Sequence, residues 1–204
     1  MKKILLTLTL STAIAVPAIA EELSVVGSWS SLPLHKEYEA PFWGETLPAA
    51  SGGKLTTSVT THNQMGLNVG EFFRLLEAGV FDVGMTVGDY AVSDAPELEG
   101  LDVPLIAMDA GKAQMAVEAA RPMVEEIFKN RFNSEVLAIA PYPPQVVFCN
   151  KEVSNLDDLK GVRVRASGRM TAKFLEALGA EGVNVSFSEV PGALQKGVVL
   201  LHIE

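Results

Sequence analysis

Residues 71–84 read EFFRLLEAGVFDVG, and this stretch determines the fold class that the sequence predicts. Its apolar side chains recur at the spacing of one helix face: Phe72, Leu75, Leu76 and Val80. Asn68 and Glu71 have the spacing of a capping box, with Asn in place of Ser or Thr, so the helix is predicted to begin there. Gly79 suits the left-handed position that ends a helix. Residues 81–87 then favour a strand.

The same alternation continues on both sides of this stretch. Strands are predicted at 23–26, 55–61, 136–140, 146–150, 162–165 and 183–187. Helices are predicted at 35–47, 113–132, 171–178 and 191–196. Pro41 interrupts the first of these helices, and a start or break is expected at Pro122 in the second. Strands that alternate with helices are typical of an α/β fold with a largely parallel sheet.

The first twenty residues have the pattern of a secretory signal peptide. Lys2 and Lys3 precede an apolar run at 4–16 that is too short to span a bilayer. Pro17 ends this run, and Ala18-Ile19-Ala20 is a cleavage signal. The alternative, a buried N-terminal helix, does not explain why small residues stand where a peptidase needs them. The residue directly after the cleavage site is Glu21 and not a cysteine, so we expect export to the periplasm without a lipid anchor.

Charge and cysteine content narrow the function classes. The formal net charge is −9, and it becomes −11 once Lys2 and Lys3 leave with the signal peptide. Nucleic acid is therefore not an expected partner, since phosphate binding needs a basic surface. An anionic small ligand remains compatible, because a local cation in a closed cleft outweighs distant, screened charge. Cys149 is either a catalytic thiol or, as the apolar run 146–149 favours, a buried strand thiol.

Four stretches resemble the solute-binding subunits of tripartite ATP-independent periplasmic (TRAP) transporters. The first is SGGKL at 51–55 with QMG at 64–66, and the second is the stretch at 71–84. The third is LDDLKGVRVR at 156–165, and the fourth is GA at 179–180 with FSEVPGALQKGV at 187–198. Their order after a signal peptide makes the resemblance specific, and it extends over residues 23–199.

The resemblance implies a periplasmic-binding-protein-like α/β fold of two lobes with largely parallel sheets. After the signal peptide at 1–20, the first lobe is expected over 21–147 and the opening part of the second over 148–204. The proline-rich segment 141–150 is the candidate crossing between the lobes. Family members continue beyond the position of Val199, so the second lobe is expected to be incomplete, as in a truncated member or a non-functional remnant.

The resemblance also implies a ligand site. In the family, an arginine on the strand after the LKG motif pairs with the ligand carboxylate, and Arg165 is the matching position. A guanidinium presents a planar fork that fits a carboxylate bidentately. The alternative for Arg165 is a surface ion pair with an acidic neighbour. Arg163 alternates with it and is predicted to face solvent. Arg169 is either a second positive contact or a surface charge at a helix start.

The other candidate ligand contacts are inferred either from ligand-binding positions in relatives of the family or from their place directly after a predicted strand. Lys151 is either a second cationic contact or an exposed turn lysine, and Phe187 either packs against the bound acid or belongs to the core. Five further candidates follow predicted strands, where α/β folds bind ligands: Trp29, Ser30, Gln64, Thr86 and Asp89. Trp29 is expected to form a wall of the pocket and Ser30 to donate a hydrogen bond. His35 is interpreted as a helix-start residue.

The expected function is capture of a small organic acid for TRAP membrane subunits by a monomer without a cofactor. An exported hydrolase is disfavoured, because neither a G-x-S-x-G elbow nor an H-E-x-x-H motif occurs. His35, His62 and His202 lack metal-ligand spacing, so no metal site is predicted. A ligand-binding protein that serves a sensor remains an open alternative.

Overall fold

The computed structural model describes residues 20–67, 69–143, 145–149, 152–199 and 201–203. Except for Ala20, the predicted signal peptide lies outside the described residues, and so do Asn68 and Lys151. Within the described part of the chain, no helix is both long and apolar enough to cross a bilayer.

The first lobe is built on a parallel sheet of three strands in the order β2-β1-β3. Strand β1 (Glu21–Gly27) pairs with β2 (Leu55–Thr61) along its whole length, and β3 (Val83–Gly84) adds a short edge. The strand predicted at 55–61 is confirmed residue for residue. The strand predicted at 81–87 is wrong in its extent, because only two of its residues form ladder pairs with β1.

Two helical connections link these strands. Between β1 and β2 run two wide-turn π-helical segments, Leu34–Glu39 and Phe42–Thr46, followed by α1 (Leu47–Ala50). Pro41 lies at the junction of the π-helical segments, where a missing N–H is tolerated. Between β2 and β3 run α2 (His62–Met65) and α3 (Val69–Glu77).

Helix α3 has the predicted end and only part of the predicted buried face. Leu75 and Leu76 pack against the first core as predicted, whereas Val80 is 56% exposed. Phe72 and Phe73 are each 1% exposed in the first core. Gly79 takes the left-handed backbone (φ 68°) that glycine adopts at low cost. Gly84 on β3 is required for a different reason, because a Cβ there would lie 2.8 Å from the Phe81 ring and closer still to Phe72.

A long helix covers the first core beyond β3. Two short 3₁₀ helices, Gly88–Ala91 and Pro96–Asp102, lead to α4 (Ala110–Phe132). Asp109 caps α4 by accepting a hydrogen bond from Lys112 N at 2.8 Å. The expected start or break at Pro122 is wrong, because α4 continues through it. Pro122 is exposed, so water can bond the carbonyl that loses its helical partner.

The second lobe holds a four-stranded sheet in the order β4-β7-β5-β6. Its strands are β4 (Val147–Cys149), β5 (Arg163–Ala166), β6 (Glu181–Asn184) and β7 (Leu201–Ile203). Strand β5 pairs parallel to β6 and β7, and β4 pairs antiparallel to β7. Helices α5 (Arg169–Ala177) and α6 (Val190–Gln195) accompany this sheet, with a second core around Val164 and Leu175.

Two predicted strands of this half need correction. Residues 136–140 form no ladder pairs with the described residues, so the strand predicted there is wrong. The strand predicted at 183–187 is β6, which ends at Asn184, and Phe187 instead opens a 3₁₀ turn, Phe187–Glu189. The remaining strands and helices support the α/β fold class with two largely parallel sheets.

Candidate ligand site between the two lobes

The carboxyl ends of the first sheet carry a stack of rings. Trp29 follows β1 and is 5% exposed, and its ring stacks on His62 with centroids 4.7 Å apart and planes 15° apart. His62 follows β2 and stacks on Phe72 at 4.7 Å and 16°. Because parallel strands end at one edge of a sheet, the sequence brings these residues together from distant positions.

His62 joins this stack to the next strand end. Its Nε2 lies 3.0 Å from the carbonyl oxygen of Met85, just after β3. Burial lowers the pKa of His62, partly offset by the Met85 carbonyl and the Glu39 charge. The ring is therefore neutral near pH 7, and the nitrogen that faces a carbonyl must be the one carrying hydrogen.

A buried carboxylate fixes the turn that positions Trp29. Glu39 is 7% exposed, and its Oε2 accepts hydrogen bonds from Ser28 N at 2.9 Å and from Ser28 Oγ at 2.8 Å. The same oxygen lies 2.9 Å from His35 Nδ1. Three contacts to one carboxylate oxygen therefore hold the chain directly before Trp29. His35 is the second residue of the π-helical segment Leu34–Glu39, which agrees with its interpretation as a helix-start residue.

Ser30 and Gln64 take part in local hydrogen bonds at the rim of this edge. Ser30 N donates to Asn63 Oδ1 at 3.0 Å, and Asn63 Nδ2 donates to Ser30 Oγ at 2.9 Å. Gln64 Oε1 accepts from Thr61 N at 2.9 Å and Thr61 Oγ1 at 2.8 Å in a capping box. By contrast, Thr86 Oγ1 is buried without a hydrogen-bond partner among the described residues.

Arg165 lies on β5 and is 3% exposed. Its Nε donates to the carbonyl oxygen of Val185 at 2.9 Å. Arg165 also lies close enough to Tyr90, a residue of the first lobe, for its charge to lower the pKa of that phenol. Arg163, two residues earlier, is exposed and donates to the Gly197 carbonyl, so its predicted orientation toward solvent is confirmed.

Aromatic rings from both lobes meet beside this arginine. Phe187 packs edge-on against Trp29 with centroids 5.6 Å apart, and Tyr90 also packs edge-on against Trp29 with centroids 6.3 Å apart. Burial raises the pKa of Tyr90, and the Arg165 charge opposes this, so the phenol keeps its proton near pH 7.

Two acidic residues of the first lobe reach the start of α5 in the second. Asp89 is 7% exposed, and a Cβ placed on Gly168 would lie 3.1 Å from its Cγ. Glu99 forms an ion pair with Arg169 and raises the pKa of that arginine. Arg169 is therefore a surface charge at a helix start, with an interlobe partner that sequence reasoning did not identify.

The structure thus brings Trp29, Asp89, Arg165 and Phe187 into one region. Tyr90 belongs to the same region and was missed, although its position directly after Asp89 is a signal that could have found it. No group of three or more His, Cys, Asp or Glu side chains is arranged for a metal within the described residues. Cys149 is the last residue of β4, so it lies on a strand as predicted.

The two largely parallel sheets, each with its own core, define a two-lobed α/β protein of the periplasmic-binding-protein type. The chain belongs to the bacterial extracellular solute-binding proteins of family 7, whose model matches residues 29–199. This is a family of solute receptors, and it confirms the resemblance to TRAP solute-binding proteins.

Solved structures show the same fold. A Bordetella pertussis extracytoplasmic solute receptor that binds pyroglutamic acid is 25% identical, with a TM-score of 0.80 over 90% of this chain and 60% of its own. A marine metagenome TRAP protein in complex with metahydroxyphenylacetate is 26% identical, with a TM-score of 0.78 over 90% and 57%. A Rhodoferax ferrireducens TRAP protein with benzoate is 22% identical, with a TM-score of 0.75 over 91% and 57%. The chain therefore spans about 60% of the length of such structures.

Proposed function

We propose that this chain captures a small organic acid for a TRAP-type secondary transporter, and that Arg165 binds the carboxylate of this acid. The observation that carries the proposal is a guanidinium only 3% exposed that lies where the two lobes meet. A buried cation is costly unless it is paired and hydrogen-bonded, so such a position favours an anion partner.

The surroundings of Arg165 suit a carboxylate. A guanidinium offers five N–H donors in a fixed fork, of which Nε is used by Val185. The planar fork of a guanidinium matches a carboxylate in a bidentate contact, which is the contact proposed for Arg165. The burial of Arg165, which is 3% exposed, strengthens a charge interaction relative to an exposed pair.

The ring-lined surroundings favour an acid with a flat apolar part. Trp29 and Phe187 lie next to each other, and aromatic side chains pack favourably against the ring of a cyclic or aromatic acid. Support comes from the solved relatives, which hold pyroglutamate, metahydroxyphenylacetate and benzoate. We therefore propose a small cyclic or aromatic monocarboxylate as the ligand class.

The other candidate residues have supporting roles in this proposal. Asp89 and Thr86 lie at the first-lobe strand ends and suit a hydrogen-bond donor on the far side of the acid. Ser30 and Gln64 form the rim, where their local hydrogen bonds shape the entrance. Lys151, outside the described residues, stays a predicted second cationic contact.

Hinge closure is the proposed mechanism. The acid binds one lobe, and contacts from the other lobe then shift the population toward the closed form, which docks on the membrane subunits. In this proposal residues 1–20 direct export to the periplasm, and the lobes divide near residue 147, with the crossing at 141–150.

A thermal-shift screen tests the proposal. An acid panel of pyroglutamate, metahydroxyphenylacetate and benzoate is compared with the matching amides, because a ligand that binds the folded state raises its melting temperature. At least one acid should stabilise the wild type and Arg163→Ala, while Arg165→Ala and all amides show no shift. Equal stabilisation of Arg165→Ala would contradict the assignment of the arginine, and an amide that binds as well as its acid would contradict the ligand class.

A further inference from the structure

We infer that the ion pair between Glu99 and Arg169 is a latch that holds the two lobes closed and slows release of the bound acid. The inference rests on the proposed function, because it assigns the release rate of the same ligand to a contact other than the one that binds its carboxylate. Glu99 belongs to the first lobe and Arg169 to the second, so the pair forms only where the lobes meet.

The first-lobe half of the latch is held in a fixed position. Glu99 lies in the 3₁₀ helix Pro96–Asp102, directly after Leu98, which is fully buried in the first core. Glu97 binds Arg131 of α4 through both carboxylate oxygens, at 2.6 and 3.0 Å. Because core packing and a bidentate pair anchor the residues before Glu99, its carboxylate meets the second lobe with little backbone entropy left to lose.

The second-lobe half is the start of α5. Arg169 is the first residue of this helix, and a cation there is unfavourable because the N-terminal end of a helix dipole is positive. The first turn of α5 contains no acid of its own, and Gly168 caps the helix without a side chain. The negative charge that a helix start favours comes instead from the first lobe, through Glu99 and through Asp89, which fills the space beside Gly168.

The exposure of the pair suits a contact that must open again. The side chain of Glu99 is 16% exposed and that of Arg169 is 53% exposed, so water screens the pair in part. Ion pairs of this kind change an equilibrium constant by at most about fivefold. That is enough to favour the closed form over the open form without trapping the acid.

The latch should act on release and not on capture. The acid enters between open lobes, before Glu99 and Arg169 meet, so the association rate should not depend on the pair. The acid leaves only after the lobes part, so the dissociation rate should rise when the pair is removed.

Stopped-flow fluorescence measures this release rate. The probe is the acid of the panel that stabilises the wild type, and the reporter is Trp29, which contacts Phe187 of the other lobe. Glu99→Gln should release the acid about two- to fourfold faster, with an unchanged association rate. Glu125→Gln is the matched control, because it removes the same charge from an ion pair with Arg121 inside α4, and it should release the acid at the wild-type rate.

Charge reversal distinguishes a latch from a loss of local packing. Glu99→Arg places two cations opposite each other and should speed release about tenfold. Adding Arg169→Glu restores a pair of opposite polarity and should bring the release rate back to within about twofold of the wild type. Both differences should disappear at 0.5 M NaCl, because salt screens partly exposed charges.

A measurement without ligand tests the latch independently of the acid. Glu99→Arg should raise the radius of gyration in small-angle scattering at low salt, and the double variant with Arg169→Glu should lower it again. Wild-type release rates in Glu99→Gln and Glu99→Arg, or an unchanged radius of gyration in Glu99→Arg, would overturn the inference and leave the proposed function intact. Wild-type affinity in Arg165→Ala, or a panel in which no acid binds, would instead overturn the proposed function, and the response of the radius of gyration would still decide on the latch.

Discussion

Replacing Gly168 by alanine should weaken ligand binding by obstructing the contact between the lobes. The backbone of Gly168 is extended (φ −149°), a conformation that alanine adopts freely, so the substitution introduces only a methyl group. That methyl group would lie 3.1 Å from Asp89 Cγ and closer to one carboxylate oxygen. Asp89 is buried and must move by about 1 Å to restore ordinary contact, which is the scale of strain that overpacking produces.

The expected magnitude follows from that overlap. Overpacking of a filled site costs about 1 to 3 kcal/mol. Here the cost falls on the closed form, in which Asp89 and Gly168 touch, so affinity should fall by about 5- to 150-fold. The separated lobes avoid the overlap, so the radius of gyration from small-angle scattering should rise toward that of an open form in Gly168→Ala.

Isothermal calorimetry with the stabilising acid of the panel measures the loss. Gly192→Ala is the matched control, because a Cβ at Gly192 meets nothing within 4 Å, and its affinity should equal that of the wild type. If Gly168→Ala binds the acid as tightly as Gly192→Ala, the contact between Asp89 and Gly168 is not part of the ligand-bound state.

Three further changes have distinct signatures. Glu99→Gln removes the ion pair with Arg169. Because that arginine is half exposed, the affinity for the acid should fall less than about fivefold, and it should match the wild-type affinity again at 0.5 M NaCl. A loss of affinity that does not depend on salt would contradict this. Phe187→Ala removes the edge-on contact to Trp29 and should weaken aromatic acids about two- to tenfold in fluorescence titrations, whereas equal affinity would exclude the ring as a pocket wall. Burial lowers the pKa of His62, so the unfolded chain takes up this proton first and stability is lost as pH falls below about 6.5. His62→Gln should reduce the decline in urea stability between pH 7 and pH 5 by up to about 1.4 kcal/mol per pH unit, and parallel curves for both proteins would refute this.

Local patterns were sufficient to predict most of the fold. Strand β2 was predicted because its side chains alternate with a period of two. Helix α3 was predicted because its apolar side chains repeat at helical spacing and Gly79, with its left-handed backbone, follows the helix. Such signals act over a few residues, so a single sequence contains them. Pro122 shows their limit, since an exposed proline lets water bond the orphaned carbonyl and leaves the helix unbroken.

Features that depend on a distant partner could not be predicted in this way. Residues 136–140 have strand-like composition, but a strand also needs a neighbouring edge to bond, and none of the described segments supplies one. The pairs Tyr90–Arg165 and Glu99–Arg169 depend on how the two lobes meet, which no local periodicity encodes. Arg165 itself was found through the family motif, and its burial between the lobes required the structure.

The most direct test of the account is a crystal structure of the chain grown with the stabilising acid of the panel. The account predicts a carboxylate with both oxygens about 3 Å from the terminal nitrogens of Arg165, beside the rings of Trp29 and Phe187. An acid bound elsewhere, with no carboxylate oxygen within hydrogen-bond distance of Arg165, would contradict the central claim.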